Sequence, residues 1–318
     1  MALMNEQMIS HDGPGHLWLA SLSSAGVKYG LERIETVLQA MGRPQRAFPS
    51  IVIAGTNGKG STASMLAALL HAAGLQVGQF TSPHLVETRE RVRVGVACVT
   101  AEQLDAALCA VQVAVEPTPG VDGVQTTPFE ALTCAAFWLF RELQVDVAVL
   151  ECGMGGRLDA VNTADPAVSV ITQIAHDHTK TLGNTLAAIA GEKVHVARAG
   201  RPLVLAQPAI VVGAARRAGI DADFRKLGTD VRVATVVERG VDQAICATLD
   251  GELLDEALHI EVGLPGRHQV DNAALAVMAY IEYARCVSKT SAAALPAVVE
   301  VVPALSDVPW PIRGEWIS

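Results

Sequence analysis

Lys59, Ser61 and Thr62 close the stretch Ile51-Val52-Ile53-Ala54-Gly55-Thr56-Asn57-Gly58-Lys59-Gly60-Ser61-Thr62. A lysine ammonium is a compact cation for the β- and γ-phosphates of a nucleotide, and a nearby hydroxyl can serve a phosphate or Mg2+. Gly55, Gly58 and Gly60 leave the backbone free to approach an anion closely. The apolar run Ile51 to Ala54 predicts a buried strand, and the Ala/Leu-rich run to Leu70 predicts a helix. Strand, glycine loop, lysine, hydroxyl and helix together make a phosphate cradle, with backbone amides and a helix N-terminus facing the anion. One glycine, Gly60, separates the lysine from the hydroxyl, a departure from the commonest form of such loops. A glycine turn before an ordinary helix cap would share the glycines, but it would need neither the lysine nor the Ser-Thr pair.

Two more groups point to the same chemistry. Val145 to Leu150 predicts a strand that runs directly into Glu151. An acid at the carboxyl end of a parallel strand stands in the crevice where such sheets bind ligands, where a Mg2+ carboxylate is expected beside a phosphate loop. A second glycine loop follows, with Gly153, Gly155, Gly156, Arg157 and Asp159. The strand Ala167 to Thr172 leads into His176-Asp177-His178-Thr179. Zinc would want a further Cys or His at matching spacing, and none is there; oxygen ligands with one imidazole suit Mg2+ better. A turn and helix cap would also account for that segment.

The elements that must position these groups alternate strand with helix along the chain, which predicts an α/β fold: a mostly parallel sheet flanked by helices. Two helical pieces between Leu17 and Met41 precede the first strand. Gln76 to Phe80 predicts a strand ending in Thr81-Ser82-Pro83-His84, and Glu87 to Val94 is dense in charge, as a solvated face would be. Pro128 to Leu143, Gly183 to Arg198, Val270 to Ala284 and Ala292 to Val301 read as helices, and Val231 to Ala247 and Ala257 to Val262 as short strands. Half of the 318 residues are hydrophobic but only 4% aromatic, so the core is built of Ala, Val and Leu. A net charge of −9 argues against a duplex nucleic-acid partner, which would need a basic face. No run approaches the roughly 18 apolar residues of a membrane span. Six cysteines without a C-x-x-C pair read as buried, reduced thiols of a cytoplasmic protein.

Taken in order, the motifs resemble the folylpolyglutamate synthase/dihydrofolate synthase family of the Mur ligase superfamily. They are Leu31-Glu32-Arg33-Ile34, Gly55 to Thr62, Ser82-Pro83-His84-Leu85, Glu90-Arg91-Val92-Arg93-Val94, Glu151 to Asp159, Asp177-His178-Thr179, Gly191-Glu192-Lys193 and Gly266 to Asn272. The resemblance implies a P-loop domain like the Mur ligase central domain and an ATP-dependent ligase that joins L-glutamate to dihydropteroate or a folate through an acyl phosphate. It implies ATP binding by Gly55, Thr56, Asn57, Gly58, Lys59, Gly60, Ser61 and Thr62, with Asn272 and Arg313. It implies Mg2+, two ions, on Ser82, Glu151, His178 and a carbamoylated Lys193; Lys59, His178 and Lys193 are the catalytic set. Thr127-Pro128-Phe129-Glu130 lies where the family meets the pterin.

The resemblance also sets the expected division of the chain: a helical segment over 1–48, the ATP-binding domain over 49–310, and a linker start over 311–318. Family members continue into a second α/β domain that helps form the glutamate and folate sites, and this sequence ends before it, which predicts weak or absent ligation. Trp310-Pro311-Ile312-Arg313 carries Ile where the family usually has Gly. Two alternatives stand beside the folate ligase: a peptidoglycan-type Mur ligase, and an ATP-binding remnant or partner subunit without catalysis.

Overall fold

The computed structural model describes residues 13–22, 30–116, 126–238, 244–290 and 294–308. Helices α1 (Pro14–Ser21) and α2 (Glu32–Ala40) come first, then strand β1 (Ser50–Ala54) and helix α3 (Lys59–Ala72). Next are β2 (Val77–Phe80), the short β3 (Val92–Val94) and β4 (Ala97–Cys98), and helices α4 (Ala101–Val115) and α5 (Pro128–Glu142). Strands β5 (Val147–Glu151) and β6 (Val168–Ile171) precede α6 (Thr179–Leu182) and α7 (Leu186–Lys193). Strand β7 (Pro202–Leu205), helix α8 (Pro208–Arg217) and strand β8 (Asp223–Lys226) complete one sheet. Strands β9 (Arg232–Glu238), β10 (Ile245–Asp250) and β11 (Leu258–Val262) make a second, and α9 (His268–Thr290) and α10 (Val298–Val301) close the order.

The eight-stranded sheet runs β4-β3-β2-β5-β1-β6-β7-β8. It is parallel from β2 to β8, and β3 and β4 turn back antiparallel at one edge. Strands covered on both faces read as continuous apolar runs, because alternate side chains enter different cores. Val52 and Ala54 of β1, with Ala148 and Leu150 of β5, join the core under α2, α4 and α5. Ile51, Ile53, Val147 and Val149 join the other, beneath α3 and α9. Strand β1 lies between β5 and β6, so whatever follows it sits at the middle of the sheet's carboxyl edge.

Helix starts follow local chemistry. Thr127 caps α5 by accepting from Glu130 N at 3.2 Å, and Glu130 answers by accepting from Thr127 N at 2.8 Å. Thr100 and Gln103 do the same for α4.

Several details depart from the sequence reading. The second sheet is wholly antiparallel and forms a separate layer that the run of short strands did not announce; its inward residues, such as Ala247, Leu249 and Ile260, serve the α9 core. The helix expected over Ala292 to Val301 begins only at Val298, with Pro296 just ahead of it. Helix α9 runs past Ala284 to Thr290. The charged run from Glu87 to Val94 is only in part a solvated face: Glu87 and Arg89 are exposed, but Glu90 accepts the N–H groups of Leu85, Val86 and Glu87, and Arg93 is buried. The cysteines are all free, but only Cys134 and Cys152 are buried. Gly26, where the two expected helical pieces separate, and Arg313 lie outside the described residues.

Candidate active site

The phosphate loop begins where β1 ends. Gly55 has φ +152° and Gly58 φ +83°, and at Gly58 a side chain would be strained. A Cβ on Gly58 would also lie 2.3 Å from Asn272 Oδ1, so the glycine lets α9 press an asparagine onto the loop. Helix α3 starts at Lys59, and the Lys59 ammonium folds back to donate to Thr56 O at 3.1 Å. Thr62 is fully buried in its first turn, with its hydroxyl oxygen unpartnered among the described residues.

The neighbouring strand braces the loop. Thr172 Oγ1 donates to Asn57 O at 2.7 Å, and Gln173 O accepts from Thr56 N at 2.7 Å. Thr56 Oγ1 donates to Ala175 O at 3.2 Å. The sequence reading did not single out Thr172 or Gln173. The one available signal was a β-branched hydroxyl at the tip of the strand beside the loop.

On the other side of β1, Glu151 ends β5 and is 3% exposed. Its Oε2 accepts the backbone N–H of Ser82 at 3.0 Å, so two residues expected to share a metal are joined directly. Ser82 precedes Pro83 through a cis peptide bond.

Lys193, at the end of α7, is 4% exposed and donates from Nζ to Gly55 O at 2.5 Å. Burial, then the Lys59 charge, lowers its pKa to about 8. The second glycine loop seats this helix. A Cβ on Gly156 would lie 2.8 Å from Lys193 O, Arg157 N donates to Glu192 O at 2.9 Å, and the Arg157 guanidinium grips the Glu192 carboxylate. Asp159 shapes the loop by accepting from Met154 N at 2.9 Å and Val161 N at 3.0 Å. Burial pushes its carboxyl up to about 6 against those bonds.

His178 stands at the start of α6 in the left-handed region, φ +47°, half exposed, with Nε2 3.5 Å from Asp177. Among the described residues it makes no hydrogen bond to Ser82 or Glu151. The structure therefore brings together Lys59, Lys193, Gly55 and Asn272, and separately Ser82 with Glu151, at adjacent strand ends. Among the described residues, no group of three His, Cys, Asp or Glu side chains forms a ready metal cluster.

Two cavities flank this line. One, of about 560 Å3, lies on the β6, β7 and α9 side, bounded by Asn57, Gly58, Ser61, Gln173, Gln207 and Asn272. The other, of about 970 Å3, lies on the β5 and β2 side and is partly apolar, with Leu19, His84, Arg91, Phe129, Met154 and Leu182 in its walls. Phe129 rests on Phe80 with ring centroids 5.8 Å apart, and a Cβ on Gly153 would lie 2.7 Å from its ring.

The Mur ligase middle domain profile matches residues 53–280, a span that holds the phosphate loop, Ser82, Glu151, Lys193 and Asn272. The folylpolyglutamate synthase of Lacticaseibacillus casei is 36% identical over 291 residues, covering 90% of this chain and 66% of that protein. The dihydrofolate synthase/folylpolyglutamate synthase of Bacillus subtilis (strain 168) is 34% identical over 266 residues, covering 82% and 61%. A solved folylpolyglutamate synthase complex with AMPPCP and folate superposes with a TM-score of 0.85 at 32% identity, over 96% of this chain and 73% of that one. The chain belongs to the folylpolyglutamate synthase/dihydrofolate synthase family. It spans 66% and 61% of the length of these two curated relatives.

Carboxylate and hydroxyl oxygens are the donors that Mg2+ prefers, and the site offers the buried Glu151 carboxylate and, unpartnered among the described residues, the Thr62 hydroxyl. No helix among the described residues is long and apolar enough to cross a membrane.

Proposed function

We propose that this chain serves an ATP-dependent ligase reaction that joins the amine of L-glutamate to the carboxylate of dihydropteroate or a folate. The observation that carries this reading is the placement of the phosphate loop and the Glu151–Ser82 pair between two cavities, one polar and one partly apolar. The polar cavity, with Asn272 and Gln173, takes the nucleoside end of ATP. Lys59 and the amides of residues 55–62 hold its phosphates. The apolar cavity takes the flat acceptor, with Phe129 and Leu19 against its rings.

Phosphoryl transfer needs positioning and charge neutralisation more than covalent help from protein groups. The acceptor carboxylate oxygen attacks the γ-phosphorus, ADP departs, and the glutamate amine then displaces phosphate from the acyl group. Mg2+, when bound, neutralises phosphate charge, and Ser82, Glu151, His178 and a carbamoylated Lys193 would hold it. Carbamoylation requires a neutral amine. With a pKa of about 8, Lys193 is neutral about a quarter of the time at pH 7.5, against about 0.1% for an ordinary lysine. Six free cysteines suit a reducing cytoplasm.

The test is ADP release by the purified chain with Mg·ATP, dihydropteroate and glutamate, with product mass read in parallel. The expected result is ADP release that requires the acceptor, the phosphoryl-transfer half of the reaction, which the loop and the two cavities would serve. ATP turnover indifferent to dihydropteroate and to folates would overturn the reading.

A further inference from the structure

The apolar cavity has three cations in its walls, and two are accounted for. Arg157 is gripped by Glu192 through Nε and Nη2, each at 3.1 Å. Lys180 is exposed. Arg91 is the third. It is half-buried at the end of the 3-10 turn Thr88–Arg91, and its carbonyl accepts from Thr81 N at 2.9 Å. That bond sets it beside the step from Thr81 to Ser82, whose next N–H reaches Glu151.

The Arg91 side chain makes one hydrogen bond among the described residues, from Nε to His84 Nδ1 at 2.8 Å. An imidazole nitrogen that accepts this bond carries no proton, so His84 orients the guanidinium without cancelling its charge. No carboxylate among the described residues lies within ion-pair distance of Arg91; Glu151 acts on it only from further away. Among the described residues both Nη groups are left without a partner, on a cation that burial has partly stripped of water. A half-desolvated guanidinium is costly to keep unless something anionic meets it, and its fork matches a carboxylate.

We propose that Arg91, oriented by His84, receives the acceptor's carboxylate at the end of the cavity nearest the phosphate loop. The inference rests on the ligase reading above and adds to it the group that recognises the reacting carboxylate. Pairing with Arg91 offsets the repulsion between that carboxylate and the triphosphate and fixes one oxygen toward the γ-phosphorus. When the oxygen attacks, the bond to the ADP oxygen breaks and ADP keeps the electron pair. Arg91 stays protonated throughout, and His84 acts as a positioning residue.

The test compares binding of pteroate and of its carboxamide, which keeps the rings and removes the charge. Titrations use the full chain as wild type, Arg91→Gln and Arg91→Lys, with AMPPCP binding as the check on folding. Wild type is expected to prefer the acid by about tenfold or more, the span a charge-assisted pair commonly supplies. Arg91→Gln should lose that preference while binding the amide and AMPPCP as before, and Arg91→Lys should recover part of it. Equal affinity of wild type for acid and amide would overturn the inference, whatever the variants do. So would an equal loss of acid and amide binding in Arg91→Gln, which marks a purely structural role. If neither compound binds wild type while AMPPCP does, the acceptor-cavity reading itself falls, and this inference with it.

Discussion

Lys193 Nζ donates to the carbonyl oxygen of Gly55 at 2.5 Å, tying the end of helix α7 to the first residue of the phosphate loop. A lysine whose place in a helix says nothing of burial is thus a buried strut between two loops, with Lys59 close enough to press its pKa down further.

That burial has a pH signature. Lys193 titrates near 8 when folded and near 10.5 otherwise, so between these values the unfolded chain holds more protons. Stability therefore rises with pH across this window, and the penalty, about 3 kcal/mol for such a shift, is fully present below pH 8. Lys193→Met removes the titration. Thermal melts from pH 7.5 to 10 should show a smaller gain in the variant than in wild type, and parallel curves would contradict the assignment.

The brace on the other side of the loop is Thr172, whose hydroxyl donates to Asn57 O at 2.7 Å. Thr172→Val keeps the shape and removes the donor, leaving the part-buried Asn57 carbonyl without that bond. The expected cost is about 1 kcal/mol. Denaturant titration should show it, together with several-fold weaker AMPPCP binding from a looser loop. An unchanged midpoint and unchanged affinity would show that the bond does not brace the loop.

Gly58 tests how closely α9 must approach. Gly58→Ala puts a side chain on a residue at φ +83° and 2.3 Å from Asn272 Oδ1. Backbone strain alone costs about 1–3 kcal/mol, and Asn272 must move as well. The variant should melt several degrees lower and bind AMPPCP at least tenfold more weakly. Wild-type affinity would show that the Asn272 contact is not part of nucleotide binding.

The mostly parallel sheet, and an acid at its carboxyl edge, were legible because β1, β5, β6 and β7 are buried on both faces and so read as largely apolar runs. Glu151 was legible for the same reason: an acid that ends such a run has nowhere to go but the crevice. Thr172 and Gln173 were not, because a hydroxyl and an amide at a strand tip look like any loop entry until β6 is laid beside β1. Arg91 hid within a run of alternating charge. Only the fold shows that Glu90 spends its charge on three backbone amides while Arg91 finds no acid among the described residues. The three-stranded sheet was hard to foresee because antiparallel strands appended to a parallel domain carry ordinary alternation and no marker of where they dock.

Glu151→Gln probes the metal end of the site. The substituted amide keeps a side-chain carbonyl that can still accept from Ser82 N, so the fold should hold, with a melting temperature within about two degrees of wild type. Loss of the formal charge should raise the Mg2+ concentration needed for half-maximal AMPPCP binding by about tenfold or more. Identical Mg2+ dependence in both proteins would remove Glu151 from the proposed metal set.

The central claim is that a triphosphate is held by the loop from Gly55 to Thr62. Calorimetric titration of Mg·AMPPCP into the wild-type chain and into Lys59→Ala tests it most directly. The expected result is one site in the wild type and an affinity at least tenfold weaker in the variant, with both proteins melting alike. Equal affinities, or no binding by a folded wild type, would contradict it.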